Sequence, residues 1–333
     1  MPVDQRIRER CTTRSRTCRE RLVIATPSST SARRSFTLRF AIALVAGLAA
    51  AVIISPFAAS AVAAMGFRFP FPRIFDRTVM VTLLAAMLLW SRSMSFAALI
   101  REGFAAPRAN LSRLLFGLAI AIAAIAMLFA LAFASGAGAS VSYGALAERA
   151  LKFVIPAIAI AVIEEGFFRA FLLGGMRREF EPRAALIVTS VIYAVVHLVR
   201  SPAHYYLTGF HPAAGLQNLG ASAAQLSHPI IAAPTVIGLF LLGMVLGEAF
   251  LTTRTVWFSI GLHAGFVLGA KTWPLIAHGG APVSRWIAGP GPVPLIAAPA
   301  AWAIALALFL ILPRYLAASA AGNDPDQRRF FGG

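Results

Sequence analysis

Ala161-Val-Ile-Glu-Glu-Gly-Phe-Phe-Arg-Ala-Phe-Leu-Leu173 sets two adjacent carboxylates, Glu164 and Glu165, and a guanidinium, Arg169, inside an otherwise apolar run. The whole chain has only 13 acidic residues in 333. Apart from this pair, nearly all of them fall in tails, in loops or at the ends of apolar runs. A charge near a bilayer centre costs about 2.5–3.5 kcal/mol on insertion scales, so it points to function and implies partners. Composition makes the bilayer the right frame, because 59% of residues are hydrophobic and 13% charged. A soluble domain averages roughly 45–50% apolar and about 25% charged.

Working outward, apolar runs of about twenty residues mark helices able to span the hydrocarbon core. Eight are expected, at 37–60, 78–98, 112–135, 150–174, 184–200, 231–252, 255–271 and 294–315. The fold class is therefore all-α and polytopic. The expected organisation is a basic tail over 1–36, three N-terminal spans over 37–135, a core over 150–271, a last span over 294–315 and a C-terminal tail over 316–333. The net charge of +17 reads as topology. Arg gathers on the cytoplasmic side of membrane proteins, and its distribution places both termini there. The basic residues are scattered among short loops, which argues against a nucleic-acid partner. The first 36 residues, rich in Arg, Ser and Thr, have the composition of a disordered tail, and a transit peptide shares that composition. Cys11 and Cys18 in this tail are too few for a disulfide framework and have no metal spacing.

Two outer loops concentrate aromatic and histidine residues. Ser201 to Pro229 carries His204, Tyr205, Tyr206, His211 and His228, and Thr272 to Pro294 carries Trp273, His278 and Trp286. Both read as interfacial aromatic belts.

Depth selects the partners of the acidic pair. At 1.5 Å per residue, Glu164 lies roughly 20 Å from the cytoplasmic Arg177, His197 about 21 Å from Arg183, and His263 roughly 13 Å from Arg254. Three polar groups on three helices thus arrive at overlapping depths. Glu165 and Arg169 are four apart and share a helix face, as do Tyr193 and His197. Glu164 points about 100° away from Glu165. Gly261 and Gly265 flank His263 and allow a substrate or a neighbouring backbone to come close, while Gly243 and Gly247 form a step suited to helix packing.

A carboxylate and an imidazole around one water make a general base, and a second imidazole can donate to a developing oxyanion. The same Glu-His-His set is also suited to zinc with an open water position, although a His-Glu-x-x-His helix motif is absent. A polar network that locks the helices, or a transporter's proton relay, is equally compatible with these groups.

Glu164-Glu165-x-x-x-Arg169, Tyr193-x-x-x-His197 and His263 within Ser259-Ile-Gly-Leu-His-Ala264 resemble the three motifs of the CPBP family. This family comprises the type II, Rce1-like CAAX prenyl endopeptidases and the bacteriocin-processing or immunity membrane proteins also called Abi. The resemblance covers roughly residues 150–270. It implies an intramembrane protease of eight helices that cleaves a membrane-associated protein or peptide, with Glu164 activating water, His197 assisting, His263 at the oxyanion site, and Glu165 and Arg169 supporting as an ion pair. Family members are described both as glutamate proteases and as metalloproteases, so zinc on Glu164, His197 and His263 stays open as a cofactor. Two positions depart from the motifs. Tyr193 replaces Phe, and Val267 replaces the Asn or Asp that follows the third motif's His by four residues. Val267 brings no hydrogen-bond donor, which leaves a non-catalytic membrane interaction or self-immunity protein as the alternative. Asn218 or a backbone N–H is the candidate substitute. The Ala-, Arg- and Gly-rich usage suggests a GC-rich bacterial source and hence the inner membrane.

Overall fold

The computed structural model describes residues 35–138, 143–199, 205–224, 228–275, 279–280, 283–289 and 295–322. The tail that carries Cys11 and Cys18, together with His204 and His278, lies outside the described residues. The chain from Phe36 onward forms one unit. Its helices are α1 Phe36–Ala64, α2 Phe71–Leu89, α3 Phe96–Gly103, α4 Leu111–Ala134 and α5 Tyr143–Glu165, followed by α6 Pro182–Leu198, α7 Ala214–Ala223, α8 Pro229–Thr253, α9 Trp257–Thr272, α10 Arg285–Ala288 and α11 Pro299–Gly322. Between α5 and α6 the chain runs through a π-helix, Gly166–Leu173, and a short helical turn, Gly174–Met176. Two-residue strands, Ala137–Gly138 and Gly279–Gly280, pair antiparallel.

Helices occupy all eight expected stretches. By length and composition, four of the described helices suffice to cross a membrane: Phe36–Ala64, Leu111–Ala134, Ala232–Thr253 and Pro299–Leu316. The others fall short for visible reasons. The N-terminal half of α2 carries Arg73, Asp76 and Arg77, α6 has 17 residues, and α9 has 16 with His263 and Lys271 among them. Together the apolar helices and their packing make an integral membrane protein.

The second expected stretch, 78–98, is corrected. Its helix starts at Phe71, where Pro70 and Pro72 pre-set the first turn, and stops at Leu89. Trp90 to Ser95 then turn the chain, with Ser95 at φ 56, and α3 is separate. Trp273, read as interfacial, is buried against Phe129 with ring centroids 5.5 Å apart. Trp286 is 67% exposed.

Lipid supplies no hydrophobic drive between helices, so close packing at small residues has to hold them. The α4–α9 seam is of this kind. The two helices run parallel, with Gly117 against the Phe258 carbonyl, Gly261 against the Leu114 carbonyl and Gly265 against Ala121. The glycines beside His263 are thus filled by α4, not left open to a substrate. Gly243 and Gly247 of α8 pack on Ser190 and Leu186 of α6. Polar ends are capped from within the chain. The Glu181 carboxylate accepts from the Arg183 and Ala184 N–H groups at the start of α6. The Glu179 carboxylate accepts from the Phe36 and Thr37 N–H groups and from the Thr37 hydroxyl, which holds the start of α1. An anion at a helix N-terminus is favoured by the helix dipole.

Candidate active site

The sequence places Glu164 and Glu165 at the last turn of α5, and the backbone changes character immediately after them. Over Gly166–Leu173 the ladder widens to i→i+5, so that the Gly174 N–H reaches the Arg169 carbonyl. Such π segments, rare in themselves, are frequently found at functional sites. The motif is therefore not a plain α-helical stretch, as the depth argument assumes. It sits at the junction of two helical forms.

At this junction the two carboxylates separate. Glu165 is fully buried. Its Oε1 lies 3.0 Å from Arg169 Nη1 and 2.8 Å from His263 Nδ1. Arg169 is also buried; its Nη2 donates to the Gly243 carbonyl at 3.4 Å, and its guanidinium carbon stands 4.7 Å from the Tyr193 ring centroid. The guanidinium thus meets a carboxylate, a carbonyl and an aromatic face, the surroundings that a buried cation needs. Sequence reasoning pairs Glu165 with Arg169 alone. Its second bond, to a histidine 98 residues away, has no signal in the spacing.

Glu164 points elsewhere. Its Oε2 lies 3.4 Å from His197 Nε2 and 3.8 Å from His263 Nε2. The far sides of both rings are tied down. His197 Nδ1 is 2.7 Å from the Tyr193 carbonyl, and His263 Nδ1 faces the Glu165 carboxylate. A carbonyl or a paired carboxylate can only accept, so Nδ1 of each ring carries the hydrogen. The Nε2 of each ring is thereby turned toward Glu164. Tyr193, 2% exposed, lies tilted against His197 at a centroid distance of 4.3 Å and meets Phe168 edge-on at 5.0 Å. Glu164 and His197 keep about a quarter of their side-chain surface exposed, whereas His263 keeps 3%.

Glu164, Tyr193, His197, His263 and Val267 line one cavity of about 220 Å³. Leu128, Leu239, Leu242, Phe266 and Trp302 make much of the remaining wall, and Lys271 adds a cation. The structure therefore brings the three motifs together. Val267 stands in the wall and contributes no donor. Asn218 lies elsewhere, on α7, where it accepts from the Tyr205 hydroxyl at 3.1 Å and donates to Ser222 at 3.5 Å. It belongs to the packing around Phe71 and Ala214, and it does not line the cavity. As for zinc, no three His, Cys, Asp or Glu among the described residues form a group able to hold a metal ion.

Residues 146–269 match the model of the family described as type II CAAX prenyl endopeptidase, Rce1-like. The matched segment runs from α5 to α9 and includes every residue of the three motifs. Searches among curated proteins and among solved structures found no match. The Rce1-like family is a protease family whose members act on membrane-associated proteins, so the likeness is to an enzyme of that kind.

Proposed function

We propose that the protein is an intramembrane endopeptidase that hydrolyses a peptide bond in a membrane-associated protein or peptide. One observation carries the reading: Glu164 Oε2 sits against two imidazole Nε2 atoms in the wall of a cavity, and each ring is fixed from behind. A water in front of Glu164 gives its proton to the carboxylate, and its oxygen attacks the scissile carbonyl carbon. His197 orients that water together with Glu164. His263, with a proton on Nε2, donates to the oxyanion of the tetrahedral intermediate. The C–N bond then breaks, and the proton held on Glu164 passes to the leaving amine. No step of this hydrolysis runs through zinc.

Glu165 has the positioning part. Its carboxylate accepts from His263 Nδ1 and so holds the ring with Nε2 toward Glu164. Arg169 neutralises Glu165 and fixes its angle. The apolar cavity wall suits an apolar peptide segment.

The test is cleavage of a candidate membrane substrate by the wild type and by Glu164→Ala and His197→Ala. Loss of cleavage in both variants, at unchanged protein abundance, is expected; unchanged cleavage in both rejects the site. Comparing membrane and secreted peptides from wild-type and Glu164→Ala cells would supply the substrate.

Val267 favours a second reading, that of a non-catalytic membrane interaction or self-immunity protein. Under it, Glu164→Gln keeps the protective phenotype at normal abundance.

A further inference from the structure

Far from the cavity, at the end of the molecule where α8 gives way to α9, three segments converge. The Val256 N–H donates to the Gly103 carbonyl at 2.9 Å, which fixes the end of α3 to this turn. The Arg254 N–H donates to the Phe250 carbonyl at 2.8 Å, and the Arg177 guanidinium lies over the Phe250 ring, 5.9 Å from its centroid. Glu102 is the acid of the group. It stands 3.0 Å from Arg177 Nη2 and 3.5 Å from Arg178 Nη2. One carboxylate therefore serves two guanidiniums, and Arg254, the third, has no acidic partner among the described residues.

The excess positive charge is also poorly satisfied. Arg177 Nη1 and the neighbouring Thr255 Oγ1 are buried without a hydrogen-bond partner. Arg177 is drawn below the ordinary arginine range by burial, with repulsion from Arg254 and Arg178 adding to it against the pull of Glu102. Arg254 closes α8 at φ 59, a left-handed position where glycine fits best. An exposed arginine stands there instead.

We propose that Arg177, Arg178 and Arg254 form an anion site for a phosphate group, supplied by the headgroup of an anionic phospholipid. A phosphodiester presents two oxygens that match guanidinium forks. Basic pockets between membrane helices, at the level of the membrane surface, bind such headgroups. The site lies at the ends of membrane helices, beside further cations such as Arg101. The proposal is independent of the hydrolysis reading. A soluble phosphate shares the chemistry, and the test separates the two sources.

The test uses the full chain in nanodiscs of phosphatidylcholine containing labelled phosphatidylglycerol. Binding of the labelled lipid is compared for the wild type, Arg254→Gly, Arg177→Gln and, at the opposite end of the bundle, Arg285→Gln. Arg254→Gly suits the left-handed turn, so it removes the cation without breaking the fold. Arg254→Gly and Arg177→Gln are each expected to weaken phosphatidylglycerol binding by about tenfold, the loss of one charge-assisted hydrogen bond, with Arg285→Gln unchanged. Displacement of the lipid by inorganic phosphate at comparable concentration would keep the anion site and assign it to a soluble ligand. Equal binding by Arg254→Gly and the wild type, or an equal loss in Arg285→Gln, would overturn the proposal.

Discussion

Glu165→Gln is the most informative single change, because it keeps the shape of a fully buried side chain and removes its charge. At the observed 3.0 Å and an effective dielectric of about 20, the Glu165–Arg169 attraction is about 5.5 kcal/mol. Removing one partner of a buried pair costs about 3–5 kcal/mol in soluble cores. The unfolded reference in lipid also finds partners, and glutamine keeps one acceptor oxygen, so the lower end, about 3 kcal/mol, is expected here. Activity is expected to fall by about 10²–10³, the cost of a lost oxyanion donor, since His263 loses the carboxylate that holds its Nε2 toward Glu164. Thermal or denaturant unfolding in detergent reads the first quantity, and kcat on a cleaved peptide reads the second. Adding Arg169→Met separates the two effects. The double variant no longer buries an unpaired cation, so it should be more stable than Glu165→Gln while staying inactive. Stability within about 0.5 kcal/mol of wild type for Glu165→Gln, or strict additivity in the double variant, would refute the three-membered network.

Three further outcomes are expected. Val267→Asn puts a donor into the cavity wall one turn beyond His263 and should raise kcat by about tenfold or more in a cleavage assay, by the converse of losing such a donor. Gly261→Ala drives a methyl into the Leu114 carbonyl and should lower unfolding stability by about 1–3 kcal/mol, while an exposed Ala in α4 changed to Gly should cost about 1 kcal/mol or less. For hydrolysis by Glu164 acting alone on water, cleavage with and without EDTA and phenanthroline should be the same; a loss that added zinc restores would make Glu164, His197 and His263 its ligands instead.

The site was legible in the sequence where its logic is local or set by depth. Spacings of four put Glu165 near Arg169 and Tyr193 near His197, and counting residues from the flanking arginines put His197 level with Glu164 and His263 at an overlapping depth. Three features were not legible, each for a physical reason. The Glu165–His263 bond joins residues on separate helices, and no periodicity links them. The π-helix is a change of hydrogen-bond register, whereas hydropathy reports only that Phe168, Phe171 and Leu172 are apolar, as their burial requires. The split between α2 and α3 was masked by apolar residues on both sides of the turn at Ser95. Asn218 shows the opposite failure: a suitable side chain in an expected loop, which the fold places on α7 beside Tyr205 and Ser222 and outside the cavity.

The widened stretch from Gly166 to Leu173 also sets how far this part of the chain can change in length. The register there has already absorbed one residue more than an ordinary α-helix holds, so inserting a second would turn everything upstream by about 100° against everything downstream. Glu164 would swing off the histidines while Leu172 and Leu173 stayed docked. The loop residues around Gly209, which is exposed and at φ 87, carry no such constraint. Variation in length among related chains should therefore collect in the loops and spare these eight positions.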